Sequence, residues 1–290
     1  MKGWGMGTLI RRQVVITGVV QGVGFRPHVA RVAARYPITG LCGNDDNSVF
    51  LEVQGTGEDV DSFCEAVVAE IPPMASILTF TSTDVPSQEE SQFHIVASRR
   101  AGVAITLIPA DGAICQDCIN DIEDPVNRRF QYPFATCTNC GPRLSIIRDV
   151  PYDRPLTTMV DFPMCKACQH EYKDPADRRY HAQPISCFDC GPTLWVDIVD
   201  PISGVVSPGH IDSTSRKQIA ESLAQAKAMI RAGKILAVKG IGGFTLMCDA
   251  RNETAVSTLR TRKKRPGKPF AVMVRSIEDA HTIADLTQAQ

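Results

Sequence analysis

The chain has 290 residues, 43% of them hydrophobic and 22% charged, with a formal net charge of −1. That is too long for one average domain and too apolar for a disordered chain, so the length suggests two domains or three. A near-neutral balance excludes a general attraction to nucleic acid or anionic membrane, and no run of about 18 apolar residues is present to span a bilayer. The opening MKGWGMGTLIRR lacks the long apolar stretch of an ordinary secretory signal, so the cytoplasm is the expected compartment.

Residues 8 to 100 read as one domain of alternating strands and helices. Strand-like runs lie at Leu9 to Thr17, Ile38 to Cys42, Val49 to Gln54, Ile77 to Thr83 and Gln92 to Ala97. Between them, Val29, Val32, Ala33 and Tyr36 follow helical spacing, as do Val60, Phe63, Cys64, Val67 and Ile71. The order predicts a ferredoxin-like split βαβ fold, an antiparallel sheet with both helices on one face and the fifth run as an extra edge strand.

Between the first strand and the first helix runs Gly18-Val-Val-Gln-Gly-Val-Gly-Phe25-Arg26. Its glycines let the backbone turn tightly and aim several N–H groups inward, and the helix that begins near Pro27 points its positive end at the same place. Arg26 adds a permanent planar cation that can grip an anion with two hydrogen bonds. Gln21, Gly22, Val23, Gly24, Phe25 and Arg26 therefore form a candidate phosphate cradle. A lone glycine-rich turn would read as a plain connection, but the nine-residue string resembles the signature of the acylphosphatases, whose fold matches the strand order. The resemblance implies that Arg26 binds the phosphoryl group and that Asn44, at the end of the next strand, orients the attacking water. An amide is no base at neutral pH, but it fixes a water by donating and accepting hydrogen bonds. Asn44 in the string Asn-Asp-Asp-Asn would otherwise read as a turn residue. His28 reads as a solvated side chain on an exposed helix face.

Residues 101 to 200 lose the periodicity and need something other than apolar burial to hold them. Eight of the 11 cysteines fall here, in four C-x-x-C pairs. Cys115 and Cys118 are followed after 18 residues by Cys137 and Cys140, and Cys165 and Cys168 after 18 by Cys187 and Cys190. In a reducing compartment this is the spacing of a four-thiolate zinc site, seen twice. More of the sequence repeats at an offset of 50: Asp124-Pro125 with Asp174-Pro175, Arg128-Arg129-Phe130 with Arg178-Arg179-Tyr180, and Gly141-Pro142 with Gly191-Pro192. A duplicated unit with its own four ligands argues for one structural Zn2+ per unit, although crossed pairing of the outer motifs stays open. His170 and His181 have no counterpart in the first unit and are set aside as non-ligands. Cys42, Cys64 and Cys248 read as packing groups. Acidic Asp117, Asp121, Glu123 and Asp124 oppose a nucleic-acid role for the modules.

From 213 to 290 the periodicity returns. Ser213 to Ser215 can cap a helix with the stripe Ile219, Leu223, Ala226 and Ile230, ended by Gly233. Ile235 to Val238 reads as a buried strand, followed by a glycine cluster, a further helix and a basic loop, Arg262-Lys-Lys-Arg-Pro-Gly-Lys268. Alone that loop reads as a solvated face. The order of segments, however, resembles the HypF family of hydrogenase maturation carbamoyltransferases, with an incomplete start of a YrdC-like α/β domain as the third part. The chain is thus expected to be an α+β multidomain protein. The resemblance implies that carbamoyl phosphate is hydrolysed at the first domain and that the complete protein forms carbamoyl-adenylate from ATP. The carbamoyl group would then pass to the C-terminal cysteine of the partner HypE. It also makes Lys239, Lys263, Arg265 and Lys268 candidate nucleotide-binding residues, although family members carry Thr where Gly240 and Gly242 stand. About 75 residues follow Ser215, too few for a YrdC-like domain, so a fragment or truncated product is expected, with acylphosphate hydrolysis as its own activity. The alternative reading is a zinc-dependent RNA-binding or scaffold protein whose acylphosphatase domain is inactive.

Overall fold

The computed structural model describes residues 8–99, 107–200, 202–209, 216–240 and 242–287. The expected cap at Ser213 to Ser215 and the expected first boundary near residue 100 lie outside these. The chain divides into two compact units, residues 1–195 with 210–219, and residues 196–209 with 220–290.

The first unit opens with β1 (Leu9–Val19), α1 (Phe25–Ala33), β2 (Thr39–Asn44), β3 (Val49–Thr56), α2 (Gly57–Ala69), β4 (Ser76–Val85) and β5 (Phe93–Ile95). The strands form one sheet in the order β4-β1-β3-β2-β5. In the β1–β3 ladder Val14 pairs with Leu51 and Ile16 with Val49. These side chains point to one face, where they pack with Val29 and Val32 of α1 and Val60, Phe63 and Val67 of α2, all fully or nearly fully buried. Period two in the strands and 3.6 in the helices thus meet in a single core, as the sequence predicts.

The fifth strand is an edge strand as expected, but it runs parallel to β2, pairing Leu41 with His94. The reason is the path of the chain. β4 and β5 lie at opposite edges, so residues 86–92 must cross the face of the sheet that the helices leave open. There the Gln54 amide donates to the Gln88 carbonyl at 2.8 Å, and Glu90 meets Arg11 at 2.7 Å. Arg11 is only 1% exposed and is shared between Glu90 and Glu52, so the buried charge is paired twice.

Two short helices follow, α3 (Gln116–Glu123) and α4 (Lys166–Lys173), each starting at the first cysteine of a module. The chain between the modules packs a small core of Ile146, Tyr152 and Met159. The second unit holds a hairpin of β6 (Ile198–Val199) and β7 (Val206–Ser207), most of α5 (Arg216–Arg231), a second hairpin of β8 (Leu236–Lys239) and β9 (Phe244–Met247), and α6 (Glu253–Arg262). The half-buried stripe of α5 at Leu223, Ala226 and Ile230 agrees with the expected face, and Gly233 ends it with a left-handed φ of 72°. The glycine cluster does not lead straight into a helix. Gly240 N–H bonds the Gly243 carbonyl at 2.8 Å, turning the chain into β9 before α6 begins. Glycine-rich turns close hairpins as readily as they open helices, and periodicity over four residues did not distinguish the two.

Candidate functional site

The cradle forms because β1 is broken on purpose at its end. The register against β4 shifts between Thr17 and Gly18, and Gly18 adopts a φ of 128° where a Cβ would run into the Ser76 carbonyl oxygen. This bulge feeds the chain into the loop, which ends at Gly24, the cap of α1, with a left-handed φ of 75°. Val23 and Phe25 bury their side chains in the sheet–helix core. The Gln21 amide donates to the carbonyls of Asp45 at 2.7 Å and Ser48 at 3.2 Å. What the loop offers an anion is therefore its backbone at the positive end of α1.

Asn44 is the last residue of β2, and its side chain is 1% exposed. The turn that follows is made by Asp45, whose carboxylate accepts the N–H groups of Asn47 at 2.9 Å and Ser48 at 2.6 Å, so Asn44 is not spent as a turn residue. Its Oδ1 is buried without a hydrogen-bond partner. Arg26 donates to Asp153 Oδ1 at 2.6 Å, to Ser98 Oγ at 3.2 Å and to the Tyr152 carbonyl at 3.4 Å. Arg26, Asn44 and the loop line one small pocket. His28, expected in solvent, is instead 6% exposed, with Nε2 3.1 Å from the Val67 carbonyl. It sits on the face of α1 that meets α2, and burial pushes its pKa below the usual histidine value.

The opposite wall of the pocket comes from the cysteine-rich segment: Thr138, Arg143, Tyr152 and residues 181–184. Arg143 is 1% exposed; its backbone N–H donates to Asp111 at 2.8 Å, and among the described residues its guanidinium forms no ion pair. It donates to the Gly22 carbonyl in the loop and to the carbonyls of Cys140 at 2.8 Å, Pro142 at 2.9 Å and Thr138 at 2.8 Å. One guanidinium thus fastens the first module to the phosphate loop and leaves its positive charge beside the pocket. Asp153 acts the other way, because its carboxylate competes with any anion for Arg26. Asp153→Asn keeps an acceptor beside Arg26 and removes the charge, so inorganic phosphate should bind about tenfold more tightly, about 1.4 kcal/mol, as read by isothermal titration calorimetry.

The eight cysteines form two sets, Cys115, Cys118, Cys137 and Cys140, and Cys165, Cys168, Cys187 and Cys190, so the pairing is sequential. The Sγ–Sγ distances in contact run from 3.5 to 3.8 Å. A zinc–sulfur bond of about 2.3 Å in a tetrahedron requires edges of about 3.8 Å, whereas a disulfide requires about 2.05 Å. The donor set fits a closed tetrahedral thiophilic ion. Backbone N–H groups of Asn139 and Asp189 also point at Cys137 Sγ and Cys187 Sγ, at 3.3 and 3.4 Å.

The arginine pairs of the repeat cross between the modules. Arg128, in the first, donates to Cys168 Sγ of the second at 2.9 Å and to Glu171 at 2.8 Å, while Arg129 donates to Glu171 at 2.5 Å and to the Ser186 carbonyl at 2.9 Å. Fifty residues on, Arg178 donates to Cys118 Sγ of the first module at 3.1 Å and pairs with Asp121, and Arg179 pairs with Asp121 and donates to the Thr136 carbonyl at 3.0 Å. Asp121, expected to repel phosphates, is instead neutralised inside the fold by Arg178 and Arg179. Four thiolates on a divalent ion leave two surplus negative charges, which these guanidiniums offset; their grip holds the Glu171 carboxyl down to about 2.

In the second unit, Lys263, Arg265 and Lys268 share one loop that closes on α6, with Arg260 donating to the carbonyls of Arg265 at 3.3 Å and Lys268 at 2.9 Å. Arg265 donates to the Pro269 carbonyl at 3.1 Å, and its Nε is buried without a partner. Lys239 lies on the β8–β9 hairpin, with Nζ 5.5 Å from the Phe244 ring.

The sequence reading missed Arg143 and Asp153. For Arg143 a signal existed, because the repeat breaks there: the matching residue at the offset of 50 is Thr193. For Asp153, which precedes a short turn between the modules, none did.

Family models match residues 12–95 as Acylphosphatase, residues 114–147 and 164–196 as HypF finger, and residues 228–290 as the Sua5/YciO/YrdC model described as Telomere recombination. The chain is 42% identical to carbamoyltransferase HypF2 of Cupriavidus necator, over 96% of this chain and 33% of that protein. It is 44% identical to carbamoyltransferase HypF of Rhodobacter capsulatus, over 94% of this chain and 34% of that protein. A crystal structure of full-length HypF in the phosphate- and nucleotide-bound form superposes with a TM-score of 0.87 at 40% identity, covering 97% of this chain and 35% of that one.

Proposed function

Because the chain belongs to the carbamoyltransferase HypF family, of whose curated members it spans about a third, we propose that its first unit hydrolyses carbamoyl phosphate at the pocket of Arg26 and Asn44. The observation that carries this reading is the Asn44 Oδ1, buried and unpartnered in the same pocket as Arg26 and the phosphate loop. A buried acceptor of this kind costs free energy unless a ligand or water meets it. Here it serves to hold the attacking water. Arg26 and the loop N–H groups take the phosphoryl oxygens and stabilise the charge that spreads over them in the transition state. Water oxygen bonds to phosphorus, the bond from phosphorus to the carbamoyl oxygen breaks, and the water proton passes to a phosphoryl oxygen. The products are phosphate and carbamate, and no protein base is needed.

Each cysteine set holds one Zn2+, which supplies structural cross-linking with a coordination shell closed to water. Phosphate-driven RNA binding is the weaker reading, because Arg128, Arg129, Arg178 and Arg179 are engaged between the modules. In the longer protein the carbamate goes on to the YrdC-like domain, which activates it with ATP as carbamoyl-adenylate for HypE and nickel-iron hydrogenase maturation in the cytoplasm. Domain limits of 8–100, 101–200 and 213–290 belong to this reading, as do Lys239, Lys263, Arg265 and Lys268 as nucleotide ligands. Its support is the family match of residues 228–290. No described helix is long and apolar enough to cross a membrane.

The test of the hydrolytic step is phosphate release from carbamoyl phosphate. Asn44→Ala loses the water-holding amide while Arg26 remains, so kcat should fall about 100-fold with KM little changed. Equal kcat in the variant and the wild type would remove Asn44 from the reaction.

A further inference from the structure

Once Arg26, Asn44 and the loop are assigned to the phosphoryl group and the water, the acyl end of the substrate is left facing the cysteine-rich wall. Most polar groups of that wall are already engaged. Thr138 Oγ1 donates to the Arg178 carbonyl at 3.2 Å, and the Tyr152 hydroxyl donates to the Pro142 carbonyl at 3.3 Å. The Gln183 amide donates to the Tyr172 hydroxyl at 3.0 Å and the His181 carbonyl at 2.9 Å, and accepts the Arg154 N–H at 2.7 Å. The Arg143 donors end on carbonyls. Among the described residues, the His181 imidazole is the side chain of this wall whose hydrogen-bonding nitrogens meet no protein partner.

The ring is held all the same. It lies edge-on to Tyr180 at 4.5 Å and tilted on Tyr172 at 5.0 Å. Burial and the nearby Arg26 push its pKa down to about 4, so it is neutral at physiological pH and keeps one nitrogen as an acceptor. Its left-handed backbone, φ 54°, is a property of the module, since Gln131 has φ 61° in the same turn of the first copy. What differs between the copies is the side chain, and only the second copy places its own at the pocket.

We propose that His181 is the specificity-determining residue of this pocket, accepting a hydrogen bond from the NH2 group of the carbamoyl end and so favouring carbamoyl phosphate over acetyl phosphate. The two substrates are nearly equal in size, so packing alone separates them poorly. A buried acceptor that loses its donor discriminates strongly. This rests on the acylphosphate reading above and adds that the second metal module contributes directly to substrate choice.

The test compares kcat/KM for carbamoyl and acetyl phosphate in the 290-residue chain, in His181→Gly and in Arg26→Ala. Glycine removes the ring and accepts the left-handed turn without strain. The wild type should prefer carbamoyl phosphate, and His181→Gly should reduce that preference at least tenfold while still binding two metal ions per chain. An unchanged ratio in His181→Gly overturns the inference. Should glycine cost the second module its metal, His181→Phe, which keeps a ring against Tyr180 and Tyr172 and carries no acceptor, takes its place with the same expected loss of preference. Arg26→Ala separates the two readings, because wild-type rates in that variant would sink the hydrolytic site itself.

Discussion

Cys118→Ser should leave the chain with fewer than two bound metal ions and should loosen the second module as well as the first. Apparent binding free energies of structural zinc sites are about 10–16 kcal/mol, comparable with the whole stability of an average domain, so losing one of four thiolates dismantles the fold around the ion. Little else holds that region, where the buried apolar clusters are centred on the cysteines themselves. The damage spreads because Cys118 Sγ is also the acceptor of Arg178, whose neighbour Arg179 shares Asp121 with it. The sharper form of the test is Arg128→Ala, a change in the first module that removes a donor from Cys168 in the second. Zinc affinity of the second site should fall 10- to 100-fold, with the first site spared, in a chelator competition that follows release of both ions. Release of both ions with unchanged affinity would mean that the crossed arginines carry no weight.

Arg26→Ala should lower kcat/KM for carbamoyl phosphate about 1000-fold, the loss expected when a preorganised charge is removed from a developing phosphoryl transition state. The loop N–H groups remain, so activity should not reach zero. The wild-type ion pair of Arg26 with Asp153 sharpens the expectation. Removing Arg26 leaves the carboxylate beside the pocket without its partner, which repels the substrate and raises KM as well. The double variant Arg26→Ala with Asp153→Asn should therefore recover part of the KM loss and little of kcat. Steady-state phosphate release measures all three, and an Arg26→Ala rate within a few-fold of wild type would exclude Arg26 from the site.

The parts of this architecture that were legible in the sequence are those set by short-range periodicity and by ligand spacing. Val14 and Ile16 alternate as strand residues and Val60, Phe63 and Val67 recur as helix residues, and both faces are buried as that patterning requires. The cysteine offset of 50 predicted sequential pairing, and the sulfur positions agree. Asn44 was readable only through the acylphosphatase resemblance, as the residue that ends the second strand, and the structure shows that Asp45 takes over the turn and frees it. What the sequence hid are contacts across long separations. Arg143 reaches Gly22 over 121 residues, and Arg26 reaches Asp153 over 127. No local pattern encodes such pairs, because they arise when two separately folded elements are packed together. His28 was misread for a related reason: the face of α1 it occupies is covered by α2, and the neighbouring apolar residues did not reveal how wide that covered stripe is.

The crossed arginines carry an implication for how the duplicated region came about. Each module presents an arginine pair to its neighbour and, on its own short helix, an acid that receives the neighbour's pair: Arg128 and Arg129 of the first reach Glu171 of the second, and Arg178 and Arg179 of the second reach Asp121 of the first. Donor and acceptor surfaces therefore coexist on one copy, and the pairing is reciprocal, as in a contact between two identical chains. A lone ancestral copy would have left both its cations and its acid unanswered, whereas two identical chains could have satisfied each other fully. Fusing them end to end would have fixed that partnership within one polypeptide and released the two halves to diverge, one gaining Arg143 to fasten the loop and the other His181 to face the pocket.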